Sequence, residues 1–372
     1  MSRKFALLVA TALTAVSLTI TVPGLTAGTA QAQSVPAGYD PSYAKIIEAA
    51  NQEGALSIYS ATDASAVSEL LKGFEALYPK IKLEYADQNS TEMYNRFISE
   101  AAANTGTADL MWSSAMDLQI KLVNDGYAQP YATQESKALP AWANWKNEAY
   151  GTTAEPIVFA YNKRLVPEAD VPKTHADLAK LLTAKADAYK GKVTSYDPER
   201  SGVGFLYITQ DAQANSNTWD LVKAMGQTGV KLYTSSGAMI ERLTSGEHTI
   251  GYNMIGSYVL ERQKKDPTSI GVVLPNDYTI VMSRIAFIPK AARHPNAAKL
   301  FLDYLLSKQG QEAMVARYMG SIRTDLTHIN PTADLPESML RPIQVGPELL
   351  TYLDQAKRLK FLKDWQKSLQ GK

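Results

Sequence analysis

The sequence predicts an α/β protein with two lobes, each built on a mixed, mostly parallel sheet flanked by helices. Two observations lead to this expectation. Short apolar strands alternate with amphipathic helices, a pattern typical of sheets in which parallel strands lie side by side. The chain has 372 residues, and removal of an export signal leaves about 340, which is more than one hydrophobic core usually serves.

The first 32 residues predict export from the cell. Arg3 and Lys4 precede an uncharged apolar stretch that runs from residue 5 to about residue 22, as in the first two regions of a secretory signal. Ala30 and Ala32 supply the small residues of a cleavage site, so we expect cleavage after Ala32 and a mature protein free in the bacterial periplasm. The alternative is a membrane anchor, but the Thr and Ala content and the cleavage pattern favour removal.

Composition narrows the class of partner. There is no cysteine, which excludes disulfides, a lipid-modified cysteine and thiol-ligated metals. Without residues 1–32, 36 of the 38 Lys and Arg remain against 37 Asp and Glu, a net charge of −1. Nucleic acid and anionic membrane are therefore poor candidates for the partner. We expect a monomer without a cofactor.

The first half of the mature chain predicts a strand and helix alternation. Apolar residues three and four apart indicate helices, and short apolar or alternating runs indicate strands. The expected elements are a helix at 42–52, a strand at 55–59, a helix at about 67–77, a strand at 81–85, a helix at 91–104, a strand at 108–112 and a helix at 116–124.

A second α/β unit of similar build begins near residue 192. Its expected elements are a strand at 192–196, helices at 201–214 and 218–225, and a strand at 248–252. An amphipathic helix or helix pair follows at 295–318, and a basic helix is expected at 349–369. The chain therefore predicts two lobes rather than one extended sheet.

Small hydroxyl residues follow three of the predicted strands, just before a helix. They are Ser60 and Thr62, Ser113 and Ser114, and Ser201, which is followed by Gly202. Ligands of open α/β sheets bind outside the carboxyl ends of the strands, where helix N-termini present N–H groups. Each of these residues also suits an ordinary helix cap. Their recurrence in both units favours a shared cleft.

The sequence does not favour catalysis, and we expect the protein not to be an enzyme. A nucleophile elbow needs Gly two residues before the serine, and Glu199 stands there before Ser201. The four histidines, His175, His248, His294 and His328, form no metal-binding spacing. We interpret all four as surface or capping residues.

The chain resembles the bacterial extracellular solute-binding proteins of the branch that includes ferric-iron, sugar-phosphate and phosphonate receptors of ABC importers. The similarity covers nearly the whole mature chain and is carried by segments 56–63, 74–83, 108–114, 124–127, 158–162, 196–202 and 295–304. It implies a type II periplasmic binding protein with chain crossovers near 157–161 and 279–286. The implied lobes are 33–154 plus 285–372 and 155–284, and they close on the solute as a signal to a membrane permease.

The resemblance also bears on the ligand. Iron-binding members use adjacent tyrosines, but in the corresponding stretch here only Tyr258 matches, beside Ser257. We therefore expect an anionic organic solute, such as a sugar phosphate or phosphonate, with no metal site. A ferric-iron receptor and a secreted hydrolase remain the alternatives. The predicted ligand-binding residues are Ser60, Thr62, Ser113, Ser114, Asp197, Arg200, Ser201, Gly202, Asn253, Ser257 and Tyr258.

Three of these residues and one tryptophan have specific expected roles. Arg200 is the expected charge partner of an anion. Asp197 and Asn253 are expected to bind hydroxyl groups or an amine of the solute. Trp112 suits either an apolar wall of the cleft or the hydrophobic core, and we favour the core.

Overall fold

The computed structural model of the protein describes residues 34–371. The predicted export signal, residues 1–32, lies outside them. Within the described residues no helix combines the length and the apolar character that crossing a bilayer demands.

The described chain forms two mixed sheets with flanking helices, which confirms the expected α/β fold class. The strands are β1 (Ala55–Ser60), β2 (Lys82–Asp87), β3 (Leu110–Ser113), β4 (Asn144–Trp145), β5 (Ala149–Gly151), β6 (Glu155–Asn162), β7 (Val193–Tyr196), β8 (Lys231–Tyr233), β9 (Ile250–Ile255), β10 (Ile270–Val273), β11 (Thr279–Met282), β12 (Ile285–Phe287) and β13 (Leu340–Pro342).

The α-helices among these residues alternate with the strands as expected. They are α1 (Ala44–Glu53), α2 (Ser68–Leu77), α3 (Ser90–Ala103), α4 (Met116–Asn124), α5 (His175–Ala184), α6 (Gly202–Ala214), α7 (Thr218–Gln227), α8 (Ser236–Ser245), α9 (Gly256–Lys265), α10 (Pro295–Leu306), α11 (Lys308–Val315) and α12 (Gln355–Leu369).

The first sheet has the strand order β2-β1-β3-β12-β5-β4. Strands β2, β1 and β3 are parallel, whereas β12, β5 and β4 add antiparallel ladders. Helices α1 to α4, α10 and α11 pack on this sheet or on one another. We call this sheet with these helices the first lobe.

The second sheet has the order β13-β11-β6-β9-β7-β8, and β10 also pairs with β6. Strands β9, β7 and β8 are parallel, and β6 is antiparallel to β9, β10 and β11. Helices α5 to α9 pack on this sheet or on one another. We call this sheet with these helices the second lobe. The antiparallel share of both sheets is larger than the strand and helix alternation predicted.

The chain passes between the sheets at two short neighbouring segments and once more on the way from α11 to β13. One lies between Gly151 and Glu155 and the other between Met282 and Ile285. The second falls inside the predicted crossover at 279–286, whereas residues 157–161 lie within β6 of the second sheet. Both segments are buried, so any movement of the lobes must pivot on a packed region.

The C-terminal segment does not stay with the first sheet. Strand β13 pairs in parallel with β11, and Phe361 and Trp365 of α12 lie in a hydrophobic cluster with residues of α6 and α7. Phe361 and Trp365 are the buried side chains of α12, and the helix packs against α7 of the second lobe. The lobe boundaries stay a prediction, and we propose that residues 340–371 belong with the second lobe.

Hydrophobic clusters occupy each lobe and the junction between the lobes. The junction cluster brings Ala115 and Met116 of the first lobe together with Val203 and Leu206 of the second. Helix α6 also packs against α3 and α4. Burial of apolar side chains stabilises by about 25 cal/mol per Å², so this contact holds the two lobes together in the described arrangement.

Candidate functional site

A cavity of about 440 Å³ lies between the two lobes. Its walls come from the carboxyl ends of β1, β2 and β3 on one side and of β7, β8 and β9 on the other. Each set is a group of neighbouring parallel strands. The position agrees with the expectation for open α/β sheets, because parallel strands deliver their following loops and helix N-termini to one edge. The volume suits a small organic molecule.

The first lobe supplies a wall of polar and acidic side chains. Asp63 follows β1, and Asp87 ends β2, whose following residues include Gln88. The Asp87 Oδ2 atom accepts a hydrogen bond of 2.9 Å from the backbone N–H of Ala64, which fixes the turn after β1. Gln88 Nε2 is buried and has no hydrogen-bond partner among the described residues. An unpaired buried amide is costly, so this donor suits an acceptor oxygen of a bound solute.

The second lobe supplies hydroxyl groups and two aromatic side chains. Ser235 and Ser236 begin α8, and the Ser235 side chain caps the helix by accepting a hydrogen bond from the N–H of Ala238. The hydroxyl groups of Tyr196 and Ser236 are hydrogen bonded to each other. Tyr258, in the first turn of α9, accepts a hydrogen bond of 3.4 Å from the N–H of Asp63 and so joins the two walls.

A buried ion pair lies directly behind this wall, where the chain crosses between the sheets. Arg284 donates to both carboxylate oxygens of Glu155, from Nε at 2.7 Å and from Nη2 at 3.0 Å, and neither side chain is exposed. Arg284 Nη1 also donates to Thr62 Oγ1 at 2.7 Å. The guanidinium carbon lies 5.6 Å from the ring centre of Tyr258. Burial lowers the pKa of Arg284, but the attraction of Glu155 outweighs it, and the net pKa is raised.

Two of the predicted ligand-binding residues, Ser114 and Tyr258, line the cavity. Burial raises the pKa of Tyr258, and the nearby Arg284 charge opposes that rise. A phenol with a raised pKa stays protonated at neutral pH. Tyr258 is therefore a hydroxyl and aromatic surface for a solute rather than a ready phenolate.

Four other predicted residues lie behind the wall, where their side chains bond to other groups of the protein: Ser60, Thr62, Ser113 and Ser257. Thr62 Oγ1 accepts the hydrogen bond from Arg284. Ser60 Oγ accepts from the N–H of Thr62 at 3.1 Å, and Ser113 Oγ accepts from the N–H of Ala115 at 3.2 Å. Ser257 donates its hydroxyl hydrogen to Glu155. These side chains are buried, so they support the turns and the ion pair rather than facing the cavity.

The Ser201-Gly202 turn contacts the other lobe instead of the cavity. Ser201 Oγ caps α6 by accepting from the N–H of Gly204, and the N–H of Gly202 donates to Thr91 Oγ1 at 3.1 Å. A Cβ atom at Gly202 would stand 2.9 Å from Leu118 Cδ1. The close approach that this glycine permits is therefore one between the lobes. Ser201 is buried as a cap, which is not the setting of an exposed nucleophile.

The remaining predicted contacts also lie elsewhere. Asp197 Oδ1 accepts from the backbone N–H groups of Glu199 and Arg200, which closes a turn, and the side chain of Arg200 is exposed outside the cavity lining. Asn253 donates from Nδ2 to the buried Asp211 carboxylate at 2.7 Å. Trp112 is fully buried and donates to Thr152 Oγ1, which places it in the core.

The interpretation of all four histidines as surface or capping residues is wrong for two of them. His175 is buried, hydrogen bonds through Nδ1 to Asp277 at 3.0 Å and stacks on Tyr278. His248 is buried and its Nε2 pairs with the hydroxyl of Tyr233. Asp277 and Tyr233 are the hydrogen-bond partners of these imidazoles, and the sequence does not single out either partner. His248 Nδ1 is buried and has no hydrogen-bond partner among the described residues.

Sequence reasoning missed most of the cavity lining. The missed residues are Ala61, Asp63, Asp87, Gln88, Asn89, Ser90, Glu92, Tyr196, Val203, Thr234, Ser235, Ser236, Gly237 and Ile255. A signal was available for two groups of them. Residues 87–90 and 234–237 each follow a strand and precede a helix, as the predicted hydroxyl residues do. Strand β8 has only three residues and was not predicted, so its following turn was overlooked.

Asp117, in the first turn of α4, has a buried carboxyl group near the lobe contact. Burial raises its pKa from 3.8 to about 7, while the N–H of Leu118 and the charge of Arg358 oppose the rise. The folded-state pKa lies above the unfolded one, so the stabilisation that the protonated group provides is present below pH 3.8 and is lost as the pH rises towards 7.

The Asp117→Asn variant should therefore gain stability over the wild type as the pH rises. The stability difference between variant and wild type should grow by roughly 3 kcal/mol from pH 5 to pH 8, because about two pH units lie between pH 5 and the folded-state pKa and each is worth about 1.4 kcal/mol. Urea denaturation at the two pH values measures it. Asp220→Asn, an exposed carboxylate in the first turn of α7, is the matched control and should change little. An equal effect of the two substitutions would contradict the raised pKa that we assign to Asp117.

Comparisons with known proteins agree on one family. A sequence profile described as bacterial extracellular solute-binding protein matches residues 69–337. The crystal structure of the substrate binding protein of the ABC transporter from Agrobacterium tumefaciens is 39% identical with a TM-score of 0.80, and the match covers 85% of this chain and 94% of that chain.

Two solved structures of lower identity show the same fold. Iron-bound HitA from Pseudomonas aeruginosa is 18% identical with a TM-score of 0.68, over 84% of this chain and 99% of that chain. AfuA from Actinobacillus pleuropneumoniae, with exogenous fructose-6-phosphate bound, is 23% identical with a TM-score of 0.66, over 85% of this chain and 98% of that chain. At these identities the similarity shows a shared fold and does not distinguish between iron and a sugar phosphate as the ligand of this chain.

Proposed function

The chain belongs to the bacterial extracellular solute-binding protein family, and from this premise we propose that it is the periplasmic receptor of an ABC importer. In this proposal it binds a small organic solute with an anionic group and delivers it, as a monomer, to a membrane permease. The family assignment confirms the resemblance that the sequence indicated. The observation that carries the proposal is the cavity of about 440 Å³ whose walls come from both lobes.

Three helix N-termini support an anionic group on the solute. Helices α3, α8 and α9 all begin at the cavity, where Ser90, Ser236 and Tyr258 form part of its lining. The first N–H groups of a helix have no partner within it and carry a partial positive charge. Hydroxyl groups and the Gln88 amide add further donors. Such a set binds phosphate or carboxylate oxygens without needing a lysine or arginine.

The donor geometry is less suited to ferric iron. Within residues 34–371, no three His, Asp or Glu side chains are grouped so as to hold a metal ion. Tyr258 and Tyr196 are the two tyrosines of the cavity lining, and the Tyr196 hydroxyl is bonded to Ser236. Ser257, next to Tyr258, is bonded to Glu155. An adjacent tyrosine pair is therefore not available at this position, which favours an organic solute.

A thermal-shift screen tests the proposal. Glucose 6-phosphate, ethylphosphonate and Fe(III) citrate are added separately to the mature protein. A ligand at 100 times its Kd stabilises the folded state by about 2.7 kcal/mol, so at least one phosphorus-containing compound should raise the melting temperature by several degrees. A shift with Fe(III) alone, accompanied by coloured protein, would contradict the anionic class.

Matched variants locate the binding site. Ser114→Ala removes a hydroxyl from the cavity lining and should weaken the shift, whereas Ser216→Ala, in an exposed turn, should leave it unchanged. The Ser201→Ala variant tests the alternative that the protein is a hydrolase. Turnover of an ester or phosphoester panel that disappears in this variant would argue for catalysis and against a receptor.

A further inference from the structure

The charge of the cavity lining is one-sided. Asp63, Asp87 and Glu92 line it, and the lining contains no lysine, arginine or histidine. The nearest buried cation, Arg284, lies behind the wall and is paired with both carboxylate oxygens of Glu155. Helix N-termini and hydroxyl groups explain how an anion is held. They do not explain why three carboxylates face the same space.

A solute that carries only negative charge would leave these carboxylates facing a like charge. Like charges at close range disfavour each other's ionised forms and oppose binding. A solute with a cationic group removes that cost and gains a charge-assisted hydrogen bond. The carboxylates are not grouped to hold a metal ion, in the part of the chain that the structure describes. The cation that fits is therefore an organic ammonium.

Asp63 is the carboxylate best placed to receive such a group. It sits where the two walls meet, since its backbone N–H donates to the hydroxyl of Tyr258. Its side chain is exposed to the cavity, where burial raises its pKa and the Arg284 charge and the Tyr258 hydroxyl oppose that rise. One Asp87 oxygen is engaged with the N–H of Ala64. The rings of Tyr196 and Tyr258 line the same cavity, and aromatic faces attract ammonium groups.

We propose that the solute carries a protonated amine and that Asp63 binds it. This inference rests on the proposed function as a solute receptor and specifies the solute at the same cavity. Combined with an anionic group at the helix N-termini, it makes the solute a zwitterion, such as an amino sugar phosphate or an amino-substituted phosphate or phosphonate.

Matched ligand pairs test the amine separately from the anion. Glucosamine 6-phosphate is compared with glucose 6-phosphate, and 2-aminoethyl phosphate with ethyl phosphate, by isothermal titration calorimetry at pH 7. In at least one pair the amino compound should bind the wild type at least tenfold more tightly. Ethanolamine, which lacks the anion, is the third arm. Binding of ethanolamine without any phosphate would support the amine and contradict the anionic part of the proposed function.

The Asp63→Asn variant identifies the residue. It should reduce the preference for the amino compound to less than threefold, because the amino compound loses its charge partner while the amine-free compound, relieved of a like charge, binds at least as tightly as to the wild type. Glu69→Gln, an exposed carboxylate on α2 outside the cavity, should keep the full preference. Equal affinity within both pairs, or a preference that survives Asp63→Asn, would overturn the inference. If glucose 6-phosphate or ethyl phosphate bound although the inference had failed, the proposed function as a receptor for an anionic solute would stand, without the amine.

Discussion

Replacement of Arg284 by methionine should lower the free energy of unfolding by about 3–5 kcal/mol, because it leaves a buried carboxylate without its partner. Arg284 and Glu155 are both fully buried where the chain crosses between the sheets. In the variant, Glu155 keeps only the hydroxyl donors of Thr153 and Ser257. Urea denaturation at pH 7, followed by tryptophan fluorescence, measures the loss.

A double-mutant cycle separates the ion pair from the effect of side-chain volume. The variant Arg284→Met with Glu155→Met should lose less stability than the sum of the two single variants, since it leaves no unpaired buried charge. Lys72→Met breaks an exposed pair with Glu69 and should cost about 0–1 kcal/mol. A loss from Arg284→Met as small as that from Lys72→Met would show that the buried pair is not a main support of the hinge.

The second large effect is expected at Gly202, where the lobes meet. A Cβ atom there would stand 2.9 Å from Leu118 Cδ1, 3.1 Å from Ser90 Oγ and 3.2 Å from Ala115 Cβ. Gly202→Leu should therefore disfavour the described contact by about 1–3 kcal/mol, the usual cost of overpacking. That energy reduces the population of the described arrangement roughly 5- to 150-fold relative to arrangements without this contact, and affinity for a solute held between the lobes should fall with it.

Because the chain has no cysteine, introduced cysteines can be labelled selectively and the distance between the lobes can be measured in solution. Spin labels at cysteines introduced for the exposed Lys72 and Lys223, one on each lobe, report the distance between the lobes by pulsed electron paramagnetic resonance. With glucosamine 6-phosphate present, Gly202→Leu should shift the distances to longer values. Gly106→Leu, where a Cβ meets no atom within 4 Å, is the control. Unchanged distances and affinity in Gly202→Leu would mean that the lobes can close without this contact.

Local sequence patterns were sufficient for many of the elements. Helix α4 has the predicted bounds, and β1 and α6 differ from their predictions by one residue. Such elements are set by neighbouring side chains through hydrophobic periodicity and caps, which can be seen along the chain. The same patterns predicted a ligand site at the carboxyl ends of the strands, and a cavity lies at that edge between the lobes.

The roles of individual site residues could not be obtained in the same way. Gly202 was predicted to bind a ligand, but the groups that approach it closely belong to the other lobe. Ser60, Ser113 and Ser257 have the expected residue type and position, yet their side chains bond within the protein. A hydroxyl group suits a ligand and a backbone turn equally well, so composition alone does not separate the two roles.

The sequence by itself determined the alternating α/β elements, the two-lobed organisation, the family and the edge of the sheets at which the cavity lies. Only the tertiary structure decided which side chains line the cavity and what charge it carries. The reason is the distance along the chain between interacting groups. Arg284 meets Thr62 across 222 residues and Glu155 across 129, and Gly202 meets Thr91 across 111. Periodicity describes near neighbours, whereas these contacts exist only once the two sheets are assembled against each other.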